Sequence, residues 1–186
     1  HISGNNRKEK VMEMKLINYL HSVYPELEIN LTEMKGYSSE EISKIERLYD
    51  INITNQLYDF LVCMGRYSGG FFCDYPLMFY RSNKNVRSHI LSQIKLREDL
   101  SSLQQWDLLT QKPFLVSFES ETQYYFLLTA GDNPDLVYHY DENEEVVSAT
   151  SWTFNEYLKL IVKVFSMSYT RTDDEVLDYS GELIVI

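Results

Sequence analysis

Imidazoles, thiols and paired carboxylates supply most hydrolytic, redox and metal chemistry, and this 186-residue chain has four histidines, two cysteines and 28 acids. Their spacing assembles little. His1 opens the chain, His21 and His89 fall on separate expected helices, and His139 stands near Asp141 in an expected strand. One imidazole beside one carboxylate is short of the three or four ligands of a metal site. No histidine has a sequence partner for a catalytic triad. Cys63 sits in an apolar helical stretch, where burial raises a thiol pKa and silences it as a nucleophile. With Cys73 it makes no disulfide framework, which fits buried, reduced thiols in a cytosolic protein. The glycines between Gly65 and Gly70 lack the lysine of a phosphate-binding loop, and Arg66 stands where a nucleophile elbow needs glycine before Ser68. Asp141-x-Asn143-x-Glu145 begins like a calcium loop, but Val146 replaces the required glycine and Trp152 the bidentate glutamate. It reads as an exposed hairpin turn. The other carboxylates also cluster in turns, solvated and ionised, whereas general acid catalysis needs one in an apolar pocket. The expectation is a protein that is not an enzyme, with no catalytic residue, no metal and no cofactor.

Charge is unevenly distributed. Seventeen basic against 28 acidic side chains give a net charge of −11. Residues 1–112 carry 14 of each sign, whereas Pro113 to Leu158 hold nine acids and no lysine or arginine. Such a field repels phosphate backbones and anionic lipid, and it speeds association with a basic partner. It also serves plain solubility. No apolar run approaches the ~20 residues that cross a bilayer, and the first residues have no apolar signal core. Neither nucleic acid nor membrane is an expected partner. The chain opens on His1 rather than Met, so residues 1–10 read as a cloning remnant or disordered tail and residues 11–186 as a single domain.

The elements follow from periodicity. Met14, Ile17, Leu20 and Val23 recur at three-residue steps, which predicts an amphipathic helix over 12–24, stopped near Pro25. Ser38 and Glu41 have capping-box spacing ahead of a helix over 39–49 that carries Ile42, Ile45, Leu48 and Tyr49. Thr54 is a plausible cap for the next helix, whose stripe is Leu57, Phe60, Leu61 and Met64 and whose expected terminator is Gly65. Phe71 to Tyr80 reads as extended and aromatic. Residues 85–106 return to a helical period through Val86, Ile90, Ile94, Leu100, Leu103 and Trp106. At Pro113 the period changes to two, and strands are expected at 114–119, 124–129, 136–140 and 145–148 with short turns between them. Thr153 and Glu156 begin a last helix that buries Phe154, Tyr157 or Leu158, Ile161, Val162 and Phe165, and the apolar run Leu183 to Ile186 is a candidate edge strand. This predicts an α+β fold: an antiparallel sheet of at least four strands with helices packed on one face.

Glu41-Ile42-x-x-Ile45-Glu46, the link to a second helix with Phe60-Leu61, the glycine-rich exit from Gly65 to Gly70, and the later Trp152-Thr-Phe154-Asn-Glu156 resemble the SUKH superfamily. That group includes yeast cell-wall assembly regulators and many bacterial toxin-immunity proteins. The order of elements along about residues 30–168 agrees with it. Two features depart from it: Thr54 where the family usually has proline, and Arg66-Tyr67-Ser68 where it usually has Asn-Gly. The resemblance implies a SUKH-like domain over 11–186 that acts in the bacterial cytoplasm as a non-enzymatic immunity protein, neutralising a toxin by direct binding. The alternative is a regulatory protein–protein interaction scaffold of the same fold.

The residues agree with a binding role. A nuclease attracts phosphate with a basic surface, so a protein that covers one is acidic and rich in the Tyr and Trp that anchor interfaces. The expected partner surface is Asp132, Asp135, Asp141, Glu142, Glu144 and Glu145, with Tyr138 and Tyr140 beside them. Tyr124, Tyr125 and Trp152 lie in the same segment, and about half of these aromatics are expected to be core, because one face of a strand is buried. The expected partner is a basic protein, and the expected state a monomer or weak dimer.

Overall fold

Two reciprocal hydrogen bonds start the first of the paired helices. The Ser38 hydroxyl accepts from the Glu41 amide at 3.2 Å, and the Ser38 amide donates to Glu41 Oε1 at 3.0 Å. This is the capping box the spacing predicts. In the computed structural model, which describes residues 2–72, 76–80, 86–168 and 182–184, it opens α2 (Ser39–Tyr49). Ahead of it lies α1 (Ile2–His21), which begins ten residues earlier than the apolar stripe indicates and buries Leu16, Ile17 and Leu20 while Met14 is exposed. Asp50 closes α2 in the left-handed region (φ 52°), and Glu46 Oε2 accepts from the Ile53 amide at 2.8 Å, fixing the link to α3 (Asn55–Met64). Both glutamates of the Glu41-x4-Glu46 pattern thus bond backbone amides. Thr54 precedes α3 but gives it no side-chain bond; Asp135 does, its Oδ1 accepting from the Gln56 amide at 3.1 Å.

Gly65 ends α3 in a right-handed conformation (φ −62°) rather than the left-handed one usual for a terminating glycine. A side chain is excluded there by space: a Cβ would stand 2.7 Å from the Leu61 carbonyl and 2.8 Å from the Tyr37 ring. Gly36 is tighter still, its absent Cβ falling 1.7 Å from the Val62 carbonyl oxygen. The strand-like stretch before α2 therefore lies directly on the α3 backbone.

The period-two region forms a meander: β1 (Pro113–Ser120), β2 (Gln123–Leu128), β3 (Leu136–Asp141) and β4 (Val146–Thr153), antiparallel throughout and in the order β1-β2-β3-β4. α6 (Phe154–Ser168) follows at once, capped by Thr153 and Glu156 as their spacing predicts. Phe114, Val116, Tyr125, Leu127 and Val137 join one core with α1, α2, α3 and α6. Phe60 lies in that core against Phe79 (5.1 Å) and Phe154 (5.3 Å), pairings worth about 0.5–1.5 kcal/mol each beyond burial. The opposite face buries Leu115, Tyr124, Phe126, Leu128 and Tyr140 under α4 (Val86–Ser102) and α5 (Trp106–Thr110). Helices therefore cover both faces rather than one, which is why β1 and β2 read as long buried runs.

α4 is turned from its expected face. Leu91 and Ile94 point outward at 57% and 44% exposure, Trp106 of α5 is also exposed, and the buried row is Val86, His89, Gln93, Leu96 and Leu100. Gln93 explains the rotation. Its Nε2 donates to the Pro113 carbonyl at 2.7 Å and its Oε1 accepts from the Leu115 amide at 3.0 Å, replacing the neighbour that edge strand β1 lacks. Farther along, the Pro76 carbonyl accepts from the Phe118 amide at 3.1 Å. Of the stretch expected to be extended, Phe71, Phe72 and Leu77 are buried and Met78–Tyr80 forms a 3-10 turn instead, while residues 73–75 lie outside the described residues. Leu183 is likewise core rather than edge strand, while residues 185–186 and the side chain of Phe165 lie outside the described residues. Among the described residues no helix is long and apolar enough to cross a membrane.

Replacing Gln93 with the near-isosteric leucine strands a buried carbonyl and a buried amide. Gln93→Leu should cost about 2–4 kcal/mol in urea unfolding at unchanged m-value. A loss under about 0.5 kcal/mol would mean the β1 edge is satisfied otherwise.

Candidate partner-binding surface

A meander returns its turns to alternating ends, and this decides where the acids go. The β1–β2 and β3–β4 turns share one end, laced together by the Glu142 amide donating to the Thr122 carbonyl at 2.9 Å and Asn143 Nδ2 to Thr122 Oγ1 at 3.0 Å. Glu119, Glu121, Asp141, Glu142, Glu144 and Glu145 gather there. Asp132 and Asp135 belong to the β2–β3 connection at the opposite end, about 20 Å away along the six residues of β3. The eight expected contact residues are thus not one surface. Glu119 and Glu121, outside the expected set, complete the hairpin end, and the antiparallel reading of the short turns was the signal that locates them.

Several of the expected acids have work within the fold. Asp135 caps α3, and its carbonyl accepts from the Phe154 amide at 2.7 Å. Asp141 Oδ1 accepts from the amides of Asn143 (2.9 Å) and Glu144 (3.2 Å), an Asx turn that lets Glu145 take φ 55°. These amides and the Gln123 side chain hold the Asp141 carboxyl below the ordinary aspartate range, Gln123 foremost. Glu142 meets Lys95 of α4 at 2.9 Å and accepts from the Tyr124 hydroxyl at 3.1 Å. Lys95, the larger influence, holds its carboxyl below the usual value, and Lys95 also pairs with Asp99 at 2.8 Å. Among the described residues Lys95 is the cation paired at this end. Glu119, Glu121, Glu144 and Glu145 are exposed.

The aromatics divide by face. Tyr140 is 3% exposed, stacks on Tyr124 at 5.6 Å, and has its hydroxyl pushed up to about 12, chiefly by burial and then by Asp99 and Glu142. It supports the hairpin end from beneath. Tyr138 is half-buried on Phe126 at 5.7 Å, and Trp152 half-buried on Tyr157 at 5.9 Å. These two keep area for contact.

The groups that could carry chemistry are dispersed. His21 Nε2 meets the Leu27 carbonyl at 2.9 Å, His89 is buried in α4, and His139 Nε2 meets Gln123 Oε1 at 2.6 Å while stacking on Tyr125. Cys63 is buried with its thiol pushed up to about 12 by burial, then by Glu13 and Asp59, so it is protonated at neutral pH. Cys73 lies outside the described residues. Glu13 and Asp59, both raised first by burial, line a shallow groove between α1 and α3 with Tyr58 and Val62. Among the described residues no three His, Cys, Asp or Glu side chains converge on a metal-sized space. No family model, no curated protein and no solved structure matches the chain.

The lowered Glu142 pKa gives its ion pair a defined pH range. A group depressed on folding contributes stability above its ordinary pKa, 4.5 here, and loses it as pH falls through the folded value. Glu142→Gln should be less stable than the unaltered chain at pH 6 by under about 1 kcal/mol, as befits a solvent-screened pair, and the gap should be smaller at pH 3. Urea midpoints at both pH values test this; a gap independent of pH would mean that the pair with Lys95 adds nothing.

Proposed function

We propose that this chain is a non-enzymatic binding protein that meets a basic protein partner through the hairpin end of its sheet, and that it serves as a cytoplasmic bacterial immunity protein neutralising a toxin. The observation that carries the reading is the end itself: four exposed glutamates, Glu119 near the end of β1 and Glu121, Glu144 and Glu145 on two turns tied to each other and, through Lys95, to α4. Preorganised like charges of this kind steer encounter with a basic surface, and their rigid mounting spares the ordering cost of binding. Nuclease toxins are the class that must present such a surface. The resemblance to SUKH proteins supports the same reading, because the two capped helices, the meander and α6 follow in the order it implies. Tyr138 and Trp152 supply partly exposed aromatic area on either face.

Asp141 and Glu142 maintain the turn, so the informative variant leaves them alone. Reversing Glu119, Glu121, Glu144 and Glu145 to lysine should slow association with a toxin captured from the source cells by at least about tenfold at low salt. The loss should shrink above about 0.15 M, where the Debye length is near 8 Å, with thermal stability little changed. Unchanged association and undiminished protection of cells against the toxin would sink this assignment. Capture of several weak, non-toxic partners would point instead to a regulatory scaffold.

A further inference from the structure

Leu183 is 1% exposed and bonds to residues far from it in sequence. Its backbone is read by side chains rather than by a neighbouring strand. The Leu183 amide donates to the Tyr37 hydroxyl at 3.2 Å, and the Tyr49 hydroxyl donates to the Leu183 carbonyl at 2.9 Å. Both tyrosines are buried, one just before α2 and one at its end. One residue earlier, Glu182 pairs with Arg66, whose guanidinium also pairs with Glu41 and lies 4.4 Å from the centre of the Tyr37 ring. Ile184 packs on the same core, and its amide donates to Glu182 Oε1 at 2.9 Å.

The receiving groups belong to the paired-helix unit: Tyr37 and Tyr49 flank α2, and Arg66 follows α3. Glu41 is fixed by the α2 capping box, and it holds Arg66 as the Tyr37 ring stacks beneath. Together they offer a cation for a carboxylate, an acceptor and a donor for one residue's main chain, and an apolar seat for its side chain. Those are elements of peptide recognition, main-chain bonds supplying affinity and a pocket specificity.

We propose that Tyr37, Tyr49 and Arg66 form a peptide-recognition site that the chain fills with its own Glu182-Leu183-Ile184 segment, and that the site accepts a glutamate–leucine step of another chain when that segment is withdrawn. This goes beyond the hairpin-end reading and does not depend on it. Thirteen residues separate α6 from Glu182, so the segment competes with any added peptide as a covalently joined ligand. The site is therefore self-occupied at rest and opens to a competitor that is abundant or better fitted.

The test uses the full chain and a fluorescein-labelled peptide of residues 178–184 (Asp-Tyr-Ser-Gly-Glu-Leu-Ile), blocked at both ends. In the full-length Glu182→Lys variant, lysine confronts Arg66 and withdraws the segment. By fluorescence anisotropy this variant should bind the peptide at least about tenfold more tightly than the unaltered chain, which its own segment protects. Changing the peptide's glutamate to lysine should remove that binding. The second measurement needs no variant: about 1 mM unlabelled peptide should speed hydrogen exchange at the Leu183 amide of the unaltered chain at least fivefold while Phe126 and Leu127 are unaffected. A Glu182→Lys chain that melts normally yet binds no peptide overturns the proposal. So does a Leu183 amide that exchanges as slowly as Leu127 and ignores the peptide.

Discussion

Four strands leave two edges, and an unpaired edge buried against protein costs free energy at every orphaned amide and carbonyl. At β1 that cost is met by side chain and loop. Gln93 supplies a donor and an acceptor in strand geometry, and the Pro76 carbonyl takes the Phe118 amide. Meeting this need turns α4 so that His89 and Gln93 face inward and Leu91 and Ile94 outward. Once α4 is held in that attitude, Arg97 reaches the carbonyls of Tyr49 and Asp50 at the end of α2, and Lys95 reaches Glu142 at the hairpin end. The helix that seals an edge thus also joins the two halves of the protein.

The acidic surface gains its rigidity from this arrangement. Carboxylates on a loose hairpin would sample many positions and dilute the field they make, whereas these sit on turns bonded to each other and anchored through one lysine. Lys95 also relieves part of the repulsion in a segment without a positive residue: Glu142 finds its counterion on a helix 47 residues earlier. Asp135 illustrates the other use of charge in the same segment, stabilising a helix start whose own cap position is unused.

Local rules were the legible part of the sequence. Both capping boxes depend on residues three apart, and the change of period at Pro113 needs only a short window, so the helix starts and the antiparallel strands could be read directly. Three features escaped such reading for one reason: their partners are distant in sequence. The Gln56 amide is bonded by Asp135 across 79 residues, Gln93 meets β1 across about 20, and Leu183 meets Tyr49 across 134. An apolar stripe marks a buried face only while no polar group is needed inside, and in α4 one was. Position along the chain puts the acids in one group, whereas the meander divides them by turn parity.

The far edge of the sheet received no comparable protection. Residues 146–153 of β4 include no charge and no proline, and among the described residues no strand pairs with their outer side. Such an edge is a template for another copy of itself. A net charge of −11, concentrated in the sequence that surrounds β4, opposes such pairing by colloidal repulsion. The acidity is thus also an anti-aggregation device, and it weakens with ionic strength or with neutralisation by a polycation. Saturation of the hairpin end by a basic partner would discharge the barrier as well as fill the surface, leaving the bare strand as the next place where the molecule is adhesive.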